Sequence, residues 1–463
     1  MTLIVTSEYE LQKIAPPALP QATPIYSQAY QDQFNNVLRL YFNRLNNIIG
    51  QLMATTATLP VSIGGTNVDA FGRIRASQPY TLFDSQNRFG ADNQFDTSTS
   101  GTGSSTFNTN QSSVSLAVTS GGVGSVVRQT YRSFPYQPGK SLLVLATFVM
   151  SNSTSANLTQ RVGYFNTQNG VFFQRTGGVN AFVVRTYTSG TASDARTVNQ
   201  ADWNGDKLDG TGASGYTLDV ATTQILWMDF EWLGVGSVRC GFIINGEYIV
   251  CHTFQNANQA TSNKVYMTTA ILPVRYEITS VTSAVAATLV QICSSVISEG
   301  GYDQVSVDHV ARRTIEFTGI DTAANFYPIV SIRLASTALG AVVLPNRLQF
   351  LPLTNQNYEV ALIKNPVLTG ASWVSVPSDS NVQYDVSATV IATAGTIIQT
   401  EYVTATGSGG VGNTSDTVGY NWDTQLGVSL AGTSDIYTLG VRTVSGATSG
   451  SGVGSLSFYD LTQ

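Results

Sequence analysis

From about residue 76 onward, apolar and polar residues alternate with a period of two, in short stretches separated by turns rich in Gly, Ser and Asn. This patterning narrows the fold more than any other feature, because successive side chains point to opposite faces only along a strand. Strands are predicted at Ser141–Met150, Asn180–Tyr187, Gln224–Leu233, Ser237–Ile244, Tyr248–Phe254 and Lys264–Leu272. Further strands are predicted at Ile329–Leu334, Tyr358–Ile363, Asn381–Ala394, Ile436–Arg442 and Ser455–Leu461. Thr97–Thr106 and Thr119–Gly124 read as turns, as do Gly407–Gly412 and Gly446–Gly454. Asn245-Gly246, between two apolar runs, is a two-residue hairpin signal. Counting outward from it pairs Ile244 with Glu247, Phe242 with Ile249, and Cys240 with Cys251. Many short strands at this spacing indicate an all-β chain built as a sandwich or jelly roll.

Composition agrees. Charged residues make up 11% of the chain, against roughly 25% in an average domain. Polarity comes instead from hydroxyl and amide side chains and 42 glycines, which favour strands and turns over helix interiors. At 463 residues the chain is too long for one ordinary core. The net charge of −6, with no Lys/Arg cluster, argues against a nucleic-acid partner. No apolar run reaches the roughly 18 residues of a membrane span, so no membrane insertion is expected. The opening MTLIVTSEYELQK lacks a basic segment followed by an apolar one, and assembly in the cytosol is the expectation.

The cysteines, Cys240, Cys251 and Cys293, lack metal-site spacing and are expected to be free thiols. Asp202-Trp-Asn204-Gly-Asp206 begins like a calcium loop. However, Lys207 stands where glycine is needed and Ala213 where glutamate is needed, so an Asx turn is the better reading. His252 and His309 sit in no nucleophile setting, and no phosphate- or dinucleotide-binding loop occurs. Neither a cofactor nor a metal is expected.

The N-terminal region differs from the rest. Pro16, Pro17, Pro20 and Pro24 make residues 1–28 an extended arm, suited to lying on another surface as an attachment peptide. Residues 29–53 read as a helix in which Phe34, Leu38, Tyr41, Leu45, Ile48 and Leu52 alternate in steps of four and three. That is the seam of a coiled coil, so these six residues are the expected oligomerisation stripe, widened by Val37, Phe42 and Ile49. Ser27 could cap the helix start, and Gly and Thr are expected to close it between Gly50 and Thr56. A linker (54–75), a jelly roll (76–310) and a C-terminal β domain (311–463) complete the expected order.

The string Trp227-Met-Asp229-Phe-Glu231-Trp232-Leu233-Gly234, read as a strand, places Trp227, Asp229 and Glu231 on one face. Two like charges on one strand face repel unless a ligand or partner offsets them, which makes this trio a candidate binding site. The string resembles the active-site strand of the concanavalin-like jelly rolls of the laminarinase and lichenase glycoside hydrolases, whose pattern is Glu-x-Asp-x-Glu. The downstream VRCGFIINGEYIVCHTF is similar to their following hairpin. The resemblance implies a jelly roll and a sugar-facing sheet, with Trp227, Asp229 and Glu231 as its glycan-binding candidates. Trp227 stands at the nucleophile position, and retaining hydrolysis needs two carboxyls flanking the bond, so turnover is not expected.

A second resemblance covers about residues 25 to 280. YSQAYQDQFNNVLRLYFNRLNNIIGQL, VDAFGRIRASQPYTLFDSQNRFG, RSFPYQPGKSLLVLATF, ADWNGDKLDGTG and VYMTTAILPVRYEI are similar to virion structural proteins of aquatic tailed phages and some large viruses. It implies a fibre- or spike-like virion protein without enzymatic activity, assembled in the host cytoplasm. The expected organisation is a homotrimer anchored through residues 1–28 to capsid, portal or tail proteins and exposing its β domains to host-surface glycans. A capsid decoration or cement protein and a glycan-degrading tailspike are the alternatives.

Overall fold

The computed structural model of the chain describes residues 17–21, 24–58, 78–259, 264–281, 286–303, 305–376, 380–404, 414–417, 422–445 and 449–462. The chain divides into two compact units, residues 1–76 and 77–463.

Among its described residues the first unit holds one helix, Gln28–Thr58. Ser27 caps it: its Oγ accepts from the Tyr30 N–H at 3.4 Å, and its carbonyl accepts from the Gln31 N–H at 3.1 Å. The helix runs past its expected end at residue 53. Gly50 costs about 1 kcal/mol in a helix interior but does not stop it, and Met53 and Ala54 are good helix formers. Phe34, Leu38, Tyr41 and Leu45 recur in steps of four and three as partly exposed side chains beside Val37, and none of these five joins a buried cluster. The side chains of Ile48 and Leu52 lie outside the described residues, as do residues 1–16 of the arm and 59–75 of the linker.

The second unit is all-β and consists of two sandwiches. The first spans residues 80–298. Its sheet I runs, edge to edge, Glu247–Phe254, Val238–Ile244, Gln224–Phe230, Leu142–Val149, Ala287–Ser298, Ser113–Val118 and Gly103–Asn108, with Tyr80–Gln86 also paired to Ala287–Ser298. Sheet II runs Ser193–Asn199, Val179–Thr186, Gly170–Thr176, Leu158–Phe165, Val274–Ser280, Gly124–Thr130 and Phe95–Gly101. All of these strand pairings are antiparallel. Inward-pointing aromatics fill the space between the sheets. Phe173 meets Phe242 at 5.3 Å and Phe148 at 5.9 Å between ring centroids, edge-on or tilted as the ring quadrupoles prefer.

The second sandwich packs a four-stranded sheet (Val307–Ile320, Gly450–Asp460, Val343–Pro352, Thr414–Thr417) against a six-stranded one (Val374–Ser375, Val382–Asp385, Tyr327–Leu334, Ile436–Thr443, Asn357–Lys364, Thr396–Thr404). Its core is mainly aliphatic, with Ile332, Leu348, Val360 and Leu439 buried beside Phe350 and Tyr358. The division expected at residues 310/311 falls inside the strand Val307–Ile320.

Five local expectations are corrected. Gly446–Gly454 is not a turn throughout, because the last strand already begins at Gly450. Thr97–Thr106 is not a turn but most of a hairpin, Phe95–Gly101 and Gly103–Asn108, whose strands form the outer edges of sheets II and I. Nearly all side chains of these two strands are exposed or only half-buried, so no apolar alternation marks them. Lys264–Leu272 is not a strand. It is a loop that buries Tyr266, Met267, Ala270 and Leu272 in the first core, with its Leu272 N–H donating to the buried Tyr164 hydroxyl at 3.0 Å. Asn381–Ala394 splits into Val382–Asp385 and Val390–Thr393, because the Asp385 carboxylate accepts from the backbone N–H groups of Ser387 and Ala388 and ends the first strand. Finally, the Asn245-Gly246 hairpin has the expected register as far as Gly241. There a bulge inserts Cys251, so that Cys240 faces His252 instead. Cys240, Cys251 and Cys293 are free thiols, and burial pushes the Cys251 thiol up to about 12.

The two sandwiches are joined by segment 422–435 of the second. Arg132 donates to the Trp422 carbonyl at 2.7 Å, Trp422 Nε1 to the Tyr80 hydroxyl at 3.0 Å, and Gln425 Nε2 to the Ser133 carbonyl at 2.9 Å. Val342, Leu344 and Trp422 complete the core of the first sandwich.

Candidate functional site

The structure separates the residues of the expected glycan site. On Gln224–Phe230, Leu226, Met228 and Phe230 point into the core, and Trp227 and Asp229 point to the outer face of sheet I. The strand ends at Phe230. Leu233 and Gly234 then adopt left-handed conformations (φ 34° and 79°), closing a turn in which the Gly236 N–H donates to the Trp232 carbonyl at 2.8 Å. Glu231 therefore leaves the strand and is exposed, with the Ser237 hydroxyl 3.4 Å away. Trp227 is only 3% exposed; its Nε1 donates to the Ile249 carbonyl at 3.2 Å and its ring packs edge-on against Tyr248. Asp229 lies directly across from Arg239 and takes both ends of its guanidinium, one at Nε–Oδ1 2.9 Å and the other through Nη2. The repulsion that made the acidic pair conspicuous is thus absent, since a cross-strand arginine neutralises one member and the chain path removes the other.

A different cluster lies on the outer face of sheet II. The strand Val274–Ser280 runs through the interior of this sheet, with Tyr276 and Ile278 in the core and Arg275 and Glu277 facing outward. Glu277 pairs across strands with Arg161, which pairs in turn with Gln174. Glu277 Oε1 accepts from Arg161 Nη1 at 2.8 Å, and its Oε2 accepts from Arg275 Nη2 at 2.7 Å. Arg161 Nε donates to Gln174 at 2.8 Å and Arg275 Nη1 to Gln129 at 3.0 Å. Further along, Arg185 holds Asp194 through two parallel bonds of 2.8 Å.

These guanidinium groups roof a small apolar floor. Phe165, Phe172 and Val183 form a fully buried cluster of their own, with the two rings 4.4 Å apart. Arg185 lies 5.1 Å from the Phe172 centroid and Arg275 5.5 Å from that of Phe165, within cation–π range. Gly170 makes the close approach of Phe165 workable: at φ +148°, a Cβ there would fall 2.1 Å from the Phe165 Cβ. Beside the roof is a cavity of about 340 Å3 lined by Thr167, Arg185, Ala192, Asp194, Arg275 and Glu277.

The electrostatics of this cavity favour binding over proton transfer. Burial alone would raise the Glu277 carboxyl, but the charges and hydrogen bonds of Arg275 and Arg161 hold it below its ordinary range. Burial acts the same way on Asp194, and Arg185 likewise holds it low. Both are therefore fixed carboxylates at neutral pH, beside fixed guanidinium donors. Such a surface can accept from and donate to the hydroxyls of a polar ligand, but neither acid can deliver a proton.

The other sequence candidates organise loops. Asn204 bonds both ways with the Thr253 backbone, and the Asp206 carboxylate accepts from the backbone N–H groups of Leu208 and Ser214, as an Asx turn requires. His252 is buried against Phe254, and burial together with Arg196 lowers its pKa. Among the described residues no group of three or more His, Cys, Asp or Glu side chains converges on a point, and no helix is long and apolar enough to cross a membrane.

The chain matches no protein-family model and no curated protein sequence. Among solved structures, the carbohydrate recognition domain of Emp47p is similar at 8% identity and a TM-score of 0.30, over 49% of this chain and 99% of that domain. Peanut lectin is similar at 12% identity and 0.29, over 48% of this chain and 98% of that one. A carbohydrate esterase of the Shiga toxin-encoding bacteriophage phi24B is similar at 10% identity and 0.29, over 48% of this chain and 100% of that one. At these scores the likeness adds nothing to the fold described above.

Proposed function

We propose that this chain is a non-enzymatic virion structural protein of a tailed phage, a trimeric fibre or spike subunit that presents its sandwiches to polar glycans on the host surface. The observation that carries the binding part is the salt-locked state of the acids. Asp194, Asp229 and Glu277 are each held by arginine, which leaves the outer faces able to bind polar groups without supplying an acid–base pair. The helix supports self-association. Phe34, Leu38, Tyr41 and Leu45 form a partly exposed seam, and Leu40 and Phe42 are more than half exposed. The virion assignment, with residues 1–28 as its attachment arm and assembly in the host cytoplasm, rests on the sequence resemblance and on the uncharged, hydroxyl-rich β composition.

Two experiments test this reading. Light scattering of the purified chain should give three times the chain mass, and Leu38→Asp with Leu45→Asp should reduce it to one; a wild-type monomer at micromolar concentration would remove the trimer. Gold-labelled antibody against residues 311–463 should decorate tails or projecting fibres on intact particles. Even label over the head would instead favour a decoration protein, and unlabelled particles would remove the virion role.

A further inference from the structure

The cavity on sheet II belongs to one sandwich. A larger one, about 570 Å3, lies where the two sandwiches meet, and neither could form it alone. Asn93, Gln94, Tyr131 and Arg132 line it from the first sandwich; Lys364, Asn365, Asp423 and Asp435 face them from the second. We infer that this cleft is a binding site for a neutral, hydroxyl-rich saccharide, distinct from the sheet II cavity.

Three observations carry the inference. The first is that the walls are built and held in place. Asp435, almost fully buried, accepts from Lys364 Nζ at 2.9 Å, Asn365 Nδ2 at 2.6 Å and the Gly427 N–H at 2.9 Å. Across from it Arg132, 8% exposed, is fixed by the Trp422 carbonyl, by Gln94 and by Asp423 at 3.3 Å. Its guanidinium also sits over the Phe83 and Phe134 rings. Second, the lining is polar beyond its ion pairs: Asn93, Gln94, Tyr131, Asn365 and Thr396 bring amide and hydroxyl groups to the same cleft.

Third, the lining identifies the ligand class. Arg132 and Lys364 are balanced by Asp423 and Asp435, so the lining carries no net charge to favour an ion. The walls carry both donors and acceptors, which suits a sugar hydroxyl because it both gives and takes a hydrogen bond. Ile398, 41% exposed at the rim, offers an apolar patch for a C–H face. The volume falls within the roughly 300–1,000 Å3 of small-ligand sites, and a domain junction is a common place for one.

Blocking each cavity at an exposed rim position tests this without disturbing the walls. Thr396→Trp and Asn93→Trp fill the mouth of the junction cleft, and Thr167→Trp fills that of the sheet II cavity. The full chain is screened on an array of neutral and acidic glycans, and the best neutral oligosaccharide is then titrated in solution. We expect the wild type to bind a neutral glycan, Thr396→Trp and Asn93→Trp to bind it at least tenfold more weakly, and Thr167→Trp to leave it unchanged. Neutral-glycan binding that survives both cleft variants, or no neutral binding at all, would overturn the inference. Loss with Thr167→Trp alone would also overturn it, while keeping the glycan part of the proposed function; the virion part is read separately from particle labelling.

Discussion

The two outer faces of the first sandwich solve the same electrostatic problem in different ways. On sheet I, Asp229 is met by a single arginine, Arg239, from the neighbouring strand, and Arg239 is itself half exposed. On sheet II, Glu277 is met by two arginines, one across the ladder and one on its own strand, and each of the three side chains is mostly buried. Asp229 and Arg239 are ten positions apart in the chain, whereas Glu277 and Arg161 are 116 apart. The difference teaches where a polar site can be read. A conspicuous local string marked the face whose charge is settled by a hairpin neighbour. The more elaborate cluster, with its cavity, was assembled from strands distant in sequence.

The comparison can be broken or sharpened by substitution. The largest expected effect is from Trp227→Ala. Emptying a site that is 3% exposed should cost about 3–5 kcal/mol by denaturant unfolding, while glycan binding by the surviving folded protein stays at the wild-type level. Reduced binding at full stability would restore Trp227 as a contact residue.

Glu277→Gln follows, at about 3 kcal/mol, because it leaves Arg161 and Arg275 without their carboxylate on a mostly buried face. Its pH dependence is a sharper test. The folded pKa of Glu277 lies below its ordinary value of 4.5, so the unfolded chain takes up a proton first as pH falls. The stability it contributes is fully present above that ordinary value and is lost as pH drops through the lower folded one. The gap between wild type and variant should therefore be constant near neutrality and close only below about pH 4. A gap that closes between pH 5 and 7 would mean that Glu277 is not held by the arginines.

Arg239→Met should have the smallest effect, about 1 kcal/mol, since the removed cation is half solvated and its attraction to Asp229 is screened by water. A cost equal to that of Glu277→Gln would erase the distinction between the two faces.

Part of this organisation is legible in the sequence. Period-two alternation located strands such as Leu142–Val149, Val179–Thr186 and Ile436–Thr443, and Asn245-Gly246 fixed its hairpin as far as the bulge. The Ser27 cap and the three–four spacing located the helix. The strands that escaped notice include edge strands such as Phe95–Gly101 and interior ones such as Leu158–Phe165, Val274–Ser280 and Ala287–Ser298, and the false one, Lys264–Leu272, buries its apolar residues from a loop. The sheet II cluster did leave one local signal. Arg275 and Glu277 flank a core tyrosine, and in a chain with so few charges two on one strand face are conspicuous. Their partners Arg161, Arg185 and Asp194 carry no such mark.

The sequence by itself determined the all-β class, the place of the helix and the inward or outward direction of most strand residues, because these follow from backbone periodicity and turn chemistry within a few residues. Only the tertiary structure decided which acids are neutralised, where Glu231 leaves its strand and which residues share a cavity. Those outcomes depend on which strands become neighbours, and cross-strand partners at 4–5 Å can stand anywhere along the chain.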